Sequence, residues 1–281
     1  MKLYKHTGRE AVKRALTFLL VLIVGYAAFI YITQPYIFRP PVTPAEHQSQ
    51  PVSTEQPAPA VMVRLPGASP FLALKQDYTQ PSSTWALVNK TRAIPLSYVP
   101  NNLTLPEVAT RSDKSIEERS VRVTIKEPLE NLFAAAAANG HQLLVGSAYR
   151  SANLQKTYFD HYALVAGEAA ANRYSAHPGE SEHQTGLSVD LSSTSLNCYL
   201  EECFSDTEDG RWLATNAHTY GFILRYPKGK ENVTGYQFEP WHFRYVGVDL
   251  ASALYRSGLT LEQAWPYLEV ARRALDQNGS I

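Results

Sequence analysis

Two short stretches, SEHQTGLSVD and EPWH, concentrate the side chains best suited to hold a metal and move a proton. The first carries His183 and Asp190, the second Glu239 and His242. A catalytic zinc usually takes three protein ligands from His and Asp/Glu and leaves one position for water. His183, Asp190 and His242 supply such a set. Gly186 lies between the first two and lets the chain turn, so that a loop residue and a strand residue can meet. At strand period Leu187, Val189 and Leu191 share one face, which leaves Asp190 and Ser188 on the other. Taken alone, this spacing also describes a polar turn followed by a solvated strand residue.

In EPWH, Pro240 interrupts regular strand pairing and holds Glu239 extended. The resulting bend would bring Glu239 and His242 to one cavity. A glutamate beside a metal site can take a proton from water and later hand it to a leaving amine. The competing readings are a surface carboxylate paired with Arg244, a satisfied core histidine and a packing Trp241. A third stretch, SAYRSANLQ, carries Arg150 and Gln155. A guanidinium grips a carboxylate with two parallel hydrogen bonds, as a substrate with a free C-terminus would need. An arginine that only pairs at the surface fits the spacing as well. Gln155, one turn into the next helix, could bond a peptide or simply be exposed. His177, in AHPGESEH, is the alternative metal ligand. The signatures HExxH, GxSxG and SxxK do not occur, which argues against helical zinc proteases and common serine hydrolases.

Strands and helices around these stretches can be read from period and capping signals. VRVTIK, residues 121–126, alternates at strand period. Pro128 opens a helix, LENLFAAAAANG, that Gly140 stops. QLLVGSAYR is a buried strand with Arg150 at its end. Ser151 caps a helix that ends at Gly167, with Leu154, Tyr158 and Tyr162 on one face. GLSVDLS is a short strand, RWLATNAHTYG a helix, and FILRYP and YQFEPWHFRYVG strands, the last broken at Pro240. Two helices close the chain, and Thr260 with Gln263 matches a capping box. Helices and strands mix without regular βαβ alternation, so the fold class is α+β.

Lys+Arg and Asp+Glu both number 26 in 281 residues, so no basic excess points to a nucleic-acid partner. Hydrophobic residues at 44% allow a real core. Charge is unevenly placed: residues 1–14 are basic, and residues 15–33 contain an uncharged apolar run of bilayer length. Positive charge before the run predicts a cytoplasmic N-terminus and an extracytoplasmic remainder on a single-pass membrane anchor; a cleaved signal peptide is the rival. Residues 34–70, dense in Pro, Gln and Ser, read as an extended tether, and residues 71–281 as the catalytic domain. In an oxidising compartment the two cysteines, Cys198 and Cys203, can form a local disulfide; free thiols or a metal pair are the alternatives.

Together, SAYRSxxxQ, SEHQTGLSVD and EPWHFRYVG resemble the VanY-type D-alanyl-D-alanine carboxypeptidases, part of the wider LAS metallopeptidase group. The resemblance runs from roughly Trp85 to the last helices and includes VNKTRAIPLSYVPNNL and YGFILRYPKGKENVTGY. It implies a small, mostly antiparallel sheet with flanking helices, here preceded by one transmembrane helix. The family's SxHxxGxxxD motif falls on Ser181, His183, Gly186 and Asp190, and its ExxH motif on Glu239 and His242. His183, Asp190 and His242 are thereby implied zinc ligands and Glu239 the general base and acid. Arg150 is implied to hold the substrate carboxylate or a developing oxyanion, with Gln155 and Ser181 as further substrate contacts. The implied activity is zinc-dependent removal of the C-terminal D-Ala from peptidoglycan stem peptides, by a monomer. An L,D-carboxypeptidase or endopeptidase would use the same metal site; an inactive wall-binding scaffold is the reading from a different class.

Overall fold

A computed structural model describes residues 60–279. The expected membrane span and most of the tether lie outside these residues. Among the described residues no helix is long and apolar enough to cross a membrane.

The centre is a four-stranded antiparallel sheet of β5 (Leu143–Ser147), β6 (Ser188–Ser193), β7 (Phe222–Leu224) and β8 (His242–Tyr245), in the order β5-β6-β8-β7. Short pairs precede it: β1 (Met62–Val63) with β2 (Phe71–Leu72), and β3 (Leu103–Thr104) with β4 (Val121–Arg122). The helices are α1 (Ile116–Arg119), α2 (Val123–Ala138), α3 (Ala152–Ala166), α4 (Glu168–Tyr174), α5 (Glu208–Asn216), α6 (Glu231–Thr234), α7 (Val248–Ser257) and α8 (Leu261–Gln277). This is an α+β architecture with a small antiparallel sheet, as the sequence implies.

Strand alternation divides the sheet into two faces. Val145, Val189, Leu191 and Phe243 are buried in one core with Ile125, Leu129 and Leu132 of α2. Asp190, His242 and Ser147 belong to the other face. Register makes them a row, because Asp190 pairs with Ser147 on β5 and with His242 on β8. A second core joins Val63, Leu65, Phe71, Tyr78 and Trp85 to α7 and α8. Trp85 also donates its indole N–H to the Val246 carbonyl at 2.8 Å.

Three expectations change. VRVTIK is a strand only at Val121–Arg122 and then enters α2. Val121 and Ile125 are buried at 0% exposure while Val123 is 50% exposed, and burial continues at Leu129, Leu132 and Ala136. The apolar residues follow helical spacing, and the strand-like alternation was a coincidence of β-branched residues. Pro128 therefore lies inside α2 rather than at its start, where it removes one ladder hydrogen bond. On α3 the buried face is Ala152, Gln155 and Phe159, not Leu154, Tyr158 and Tyr162. Finally, Val63 and Leu65 are buried, so packing begins before residue 71 and the expected tether is shorter. Hairpin pairing with Phe71–Leu72 gives these apolar residues a partner that composition alone does not reveal.

Candidate active site

The row Ser147–Asp190–His242 opens into a cleft of about 240 Å³. His183 reaches it from a 3-10 turn, Glu182–Thr185, which ends at Gly186 in the left-handed conformation (φ 67°). A Cβ on Gly186 would also meet Arg122 Cγ at 2.9 Å. Glycine is thus needed to bring the turn back into β6. His183 Nδ1 lies 2.5 Å from the Ala148 carbonyl. A carbonyl can only accept, so Nδ1 carries the proton and Nε2 presents its lone pair.

That lone pair lies 3.3 Å from Asp190 Oδ2. Asp190 Oδ1 lies 3.2 Å from His242 Nδ1. One ligand atom from each of His183, Asp190 and His242 falls within 4.8 Å of the others, and all three residues are buried. Asp190 Oδ1 has no hydrogen-bond partner despite its burial, because its approach to His242 fails the geometry of a bond. A buried carboxylate oxygen without a partner is costly, and a cation among these atoms would satisfy it. Two imidazole nitrogens and one carboxylate suit zinc.

Electrostatics point the same way. Burial alone would raise the Asp190 carboxyl, but the two histidines hold it well below the usual carboxylate range. Burial alone would lower His242, yet Asp190, Glu182 and Glu239 around it bring it up to about 9. His183, facing fewer carboxylates, is pushed down by burial. Glu239 sits on the cleft side with Oε2 3.7 Å from His242 Nδ1. Burial pushes it up to about 8, against the pull of His242. A carboxyl so raised binds a proton readily and releases it near neutrality. Pro240 separates Glu239 from β8: the Glu239 N–H bonds the Tyr226 carbonyl at 3.1 Å, and the His242 N–H turns back to the Glu239 carbonyl at 3.2 Å.

Arg150 enters the same cleft. Its Nη1 donates to Gln155 Oε1 at 2.9 Å and its Nη2 to Ser147 Oγ at 3.0 Å, while Nε lacks a partner. Gln155 is buried, and its amide nitrogen donates to the Ala176 carbonyl at 2.8 Å and to Ser175 Oγ at 3.3 Å. Its geometry is that of a residue fixing Arg150. Ser181 is buried on the cleft wall. His177 stands apart, packed at a tilt against Phe159 with 3.9 Å between ring centroids. Cys198 and Cys203 are joined in a disulfide.

The sequence reading missed the charges behind the site. Glu182 is wholly buried, and its Oε1 accepts from Arg225 Nε at 2.9 Å and Arg244 Nη1 at 2.7 Å. Arg225 in turn makes two bonds to Glu262, at 2.9 and 2.6 Å. Arg244 is buried and serves Glu182, which removes the competing reading of Glu239 as its surface partner. Glu182 Oε2 lies 3.9 Å from His242 Nε2, so the carboxylate favours the tautomer that leaves Nδ1 free toward Asp190. Glu182 inside the SEHQTG turn, Arg225 directly after β7 and Arg244 within β8 were the available signal.

Residues 118–248 match the family model described as VanY, D-alanyl-D-alanine carboxypeptidase. The Bacillus subtilis (strain 168) protein YodJ is 45% identical over 183 residues, covering 65% of this chain and 67% of YodJ. The structure of the LdcB LD-carboxypeptidase is 44% identical with a TM-score of 0.63, covering 66% of this chain and 87% of its own. A VanY D,D-pentapeptidase mutant from a VanB-type vancomycin resistance cassette, in complex with Zn(II), is 33% identical with a TM-score of 0.54. That match covers 65% of this chain and 98% of the pentapeptidase. Residues 118–248 span the turn, strands and bend that bring the two histidines, Asp190 and Glu239 together, and with relatives covered to 67% and 98% of their own length the chain belongs to the VanY D-alanyl-D-alanine carboxypeptidase family.

Proposed function

We propose that this chain is a zinc carboxypeptidase that removes the C-terminal D-Ala from peptidoglycan stem peptides. The observation that carries the reading is Glu239, poised 3.7 Å from His242 on the open side of the His183–Asp190–His242 cluster. These three residues would hold the ion through His183 Nε2, His242 Nδ1 and an Asp190 oxygen. Zinc, when bound, supplies Lewis acidity that polarises a carbonyl and makes a nearby water more acidic. Glu239 takes the proton from the attacking water and delivers it to the leaving amine. Arg150, held by Gln155 and Ser147, orients the substrate's terminal carboxylate, so that binding energy positions the scissile bond. Ser181 contributes a hydroxyl to the same wall.

The likeness to LdcB favours a second reading, cleavage of an L,D bond in a tetrapeptide. Both readings place the reaction outside the membrane, and the apolar run of residues 15–33 with its basic flank supports a single-pass anchor. The chain would act there as a monomer. Incubation with a stem pentapeptide and a stem tetrapeptide, followed by chromatography of released D-Ala, separates the cases. The D,D reading expects release from the pentapeptide with a tetrapeptide left over. Release from the tetrapeptide alone would move the assignment to the L,D bond, and no release from either would end the carboxypeptidase proposal.

A further inference from the structure

The disulfide loop on the rim of the cleft is built against local preference. Leu196, Cys198 and Leu200 all have left-handed φ, at 58°, 57° and 54°. Side chains with a Cβ avoid that region, and it persists only where surrounding structure enforces it. The Cys198–Cys203 bond supplies one constraint. Tyr199, between the left-handed residues, supplies another by packing onto Gly146. A Cβ at Gly146 would lie 2.8 Å from Tyr199 Cε2 and 2.9 Å from its hydroxyl. The hydroxyl approaches the Gly146 carbonyl at 3.4 Å, and the Arg111 guanidinium covers the ring at 4.8 Å from its centroid.

Gly146 is also where the β5–β6 register shifts, between Val145 and Ser147. A bulge re-aims the following side chain, and that side chain, Ser147, accepts the hydrogen bond from Arg150. Tyr199 and Leu200 line the cleft together with Ser147 and Arg150. The loop wall therefore stands next to the cation proposed to hold the substrate's carboxylate. A C-terminal residue carries its side chain on the atom adjoining that carboxylate.

We infer that Tyr199, clamped by the Cys198–Cys203 loop, forms the wall that limits the size of the substrate's C-terminal side chain. The wall accepts a methyl group and turns away branched chains. This rests on the carboxypeptidase reading and on Arg150 as the carboxylate anchor. Reduction of the disulfide lets the left-handed residues relax, and the wall loosens.

The test compares kcat/KM for two peptides that differ only in their last residue, D-Ala or D-Leu. It uses the full-length, zinc-loaded parent, Tyr199→Phe, Tyr199→Ala and the Cys198→Ser/Cys203→Ser double variant. Zinc content and the thermal melt are recorded for each. The parent and Tyr199→Phe should favour D-Ala to a similar degree. In Tyr199→Ala and the double variant that preference should fall about tenfold, a range open to apolar pockets, with zinc content kept. General destabilisation would lower both rates and leave the ratio in place. An active Tyr199→Ala whose preference stays within about twofold of the parent overturns the inference, even if the double variant does not fold. A parent that releases neither residue overturns the carboxypeptidase reading itself, and the wall assignment with it.

Discussion

Asp190 and His242 are register partners across the β6–β8 pair, with Oδ1 and Nδ1 3.2 Å apart. Hydrogen bonding between backbones thus fixes two of the three proposed ligands before any side chain is chosen. Only His183 has to be delivered by a turn. A site built on strands holds its geometry more tightly than one built on loops.

Glu239 separates metal binding from chemistry. Glu239→Gln keeps the shape of the side chain and removes its ability to take a proton. kcat should fall by roughly 10²–10⁴-fold, the usual worth of a positioned acid or base. Zinc content, measured by metal analysis, should stay at the parent value. Unaltered kcat would remove Glu239 from the mechanism.

Glu182 should matter to stability before it matters to activity. Glu182→Ala leaves the buried Arg244 and Arg225 guanidiniums facing a void where they now share one carboxylate. Breaking a buried ion pair from one side costs about 3–5 kcal/mol. Urea unfolding of the metal-free protein should show that loss. A change below about 1 kcal/mol, the range of surface pairs, would mean that the pocket admits water.

Much of the site was legible because its chemistry is local. His183 and Asp190 stand on a turn and the strand that follows it, and Glu239 and His242 on one bend. Pro240 marks that bend in the sequence itself. Gln155 was harder. Helical spacing does not show that its amide is spent on Arg150, Ser175 and Ala176. The Glu182 cluster was missed because buried charge is decided by partners 43, 62 and 37 residues apart. VRVTIK misled for a physical reason: Val121 and Ile125, four residues apart, fit both periods, Val123 fits only the strand and is exposed, and packing against the sheet selects the helix.

Acid should weaken the fold partly through Glu118. Burial would raise its carboxyl, but hydrogen bonds from Tyr158, Lys114 and Ser115 outweigh that and hold it down at about 2, below the ordinary 4.5. The folded group therefore binds its proton later than the unfolded one. Its contribution is fully present above pH 4.5 and is lost as pH falls toward 2. The thermal midpoint of the parent should drop through that window, and Glu118→Gln should drop less steeply from a lower start. Parallel curves for the two proteins would contradict the assignment.

Arg150→Ala should weaken capture of the terminal carboxylate. Hydrogen bonds to charged groups are worth about 1.5–3 kcal/mol, so kcat/KM should fall by roughly 10–150-fold. Amidating the substrate's C-terminus should harm the parent far more than this variant. Equal sensitivity to amidation in both would place the carboxylate elsewhere.

The proposed mechanism requires His183, Asp190 and His242 to close around one zinc ion. Equilibrium dialysis of the parent against zinc, beside His183→Ala, Asp190→Ala and His242→Ala, measures it directly. The parent should hold about one ion tightly per chain, and each variant should lose affinity beyond the roughly 10–100-fold of an outer partner. Parent-like zinc binding in all three variants, with their folds intact, would contradict it.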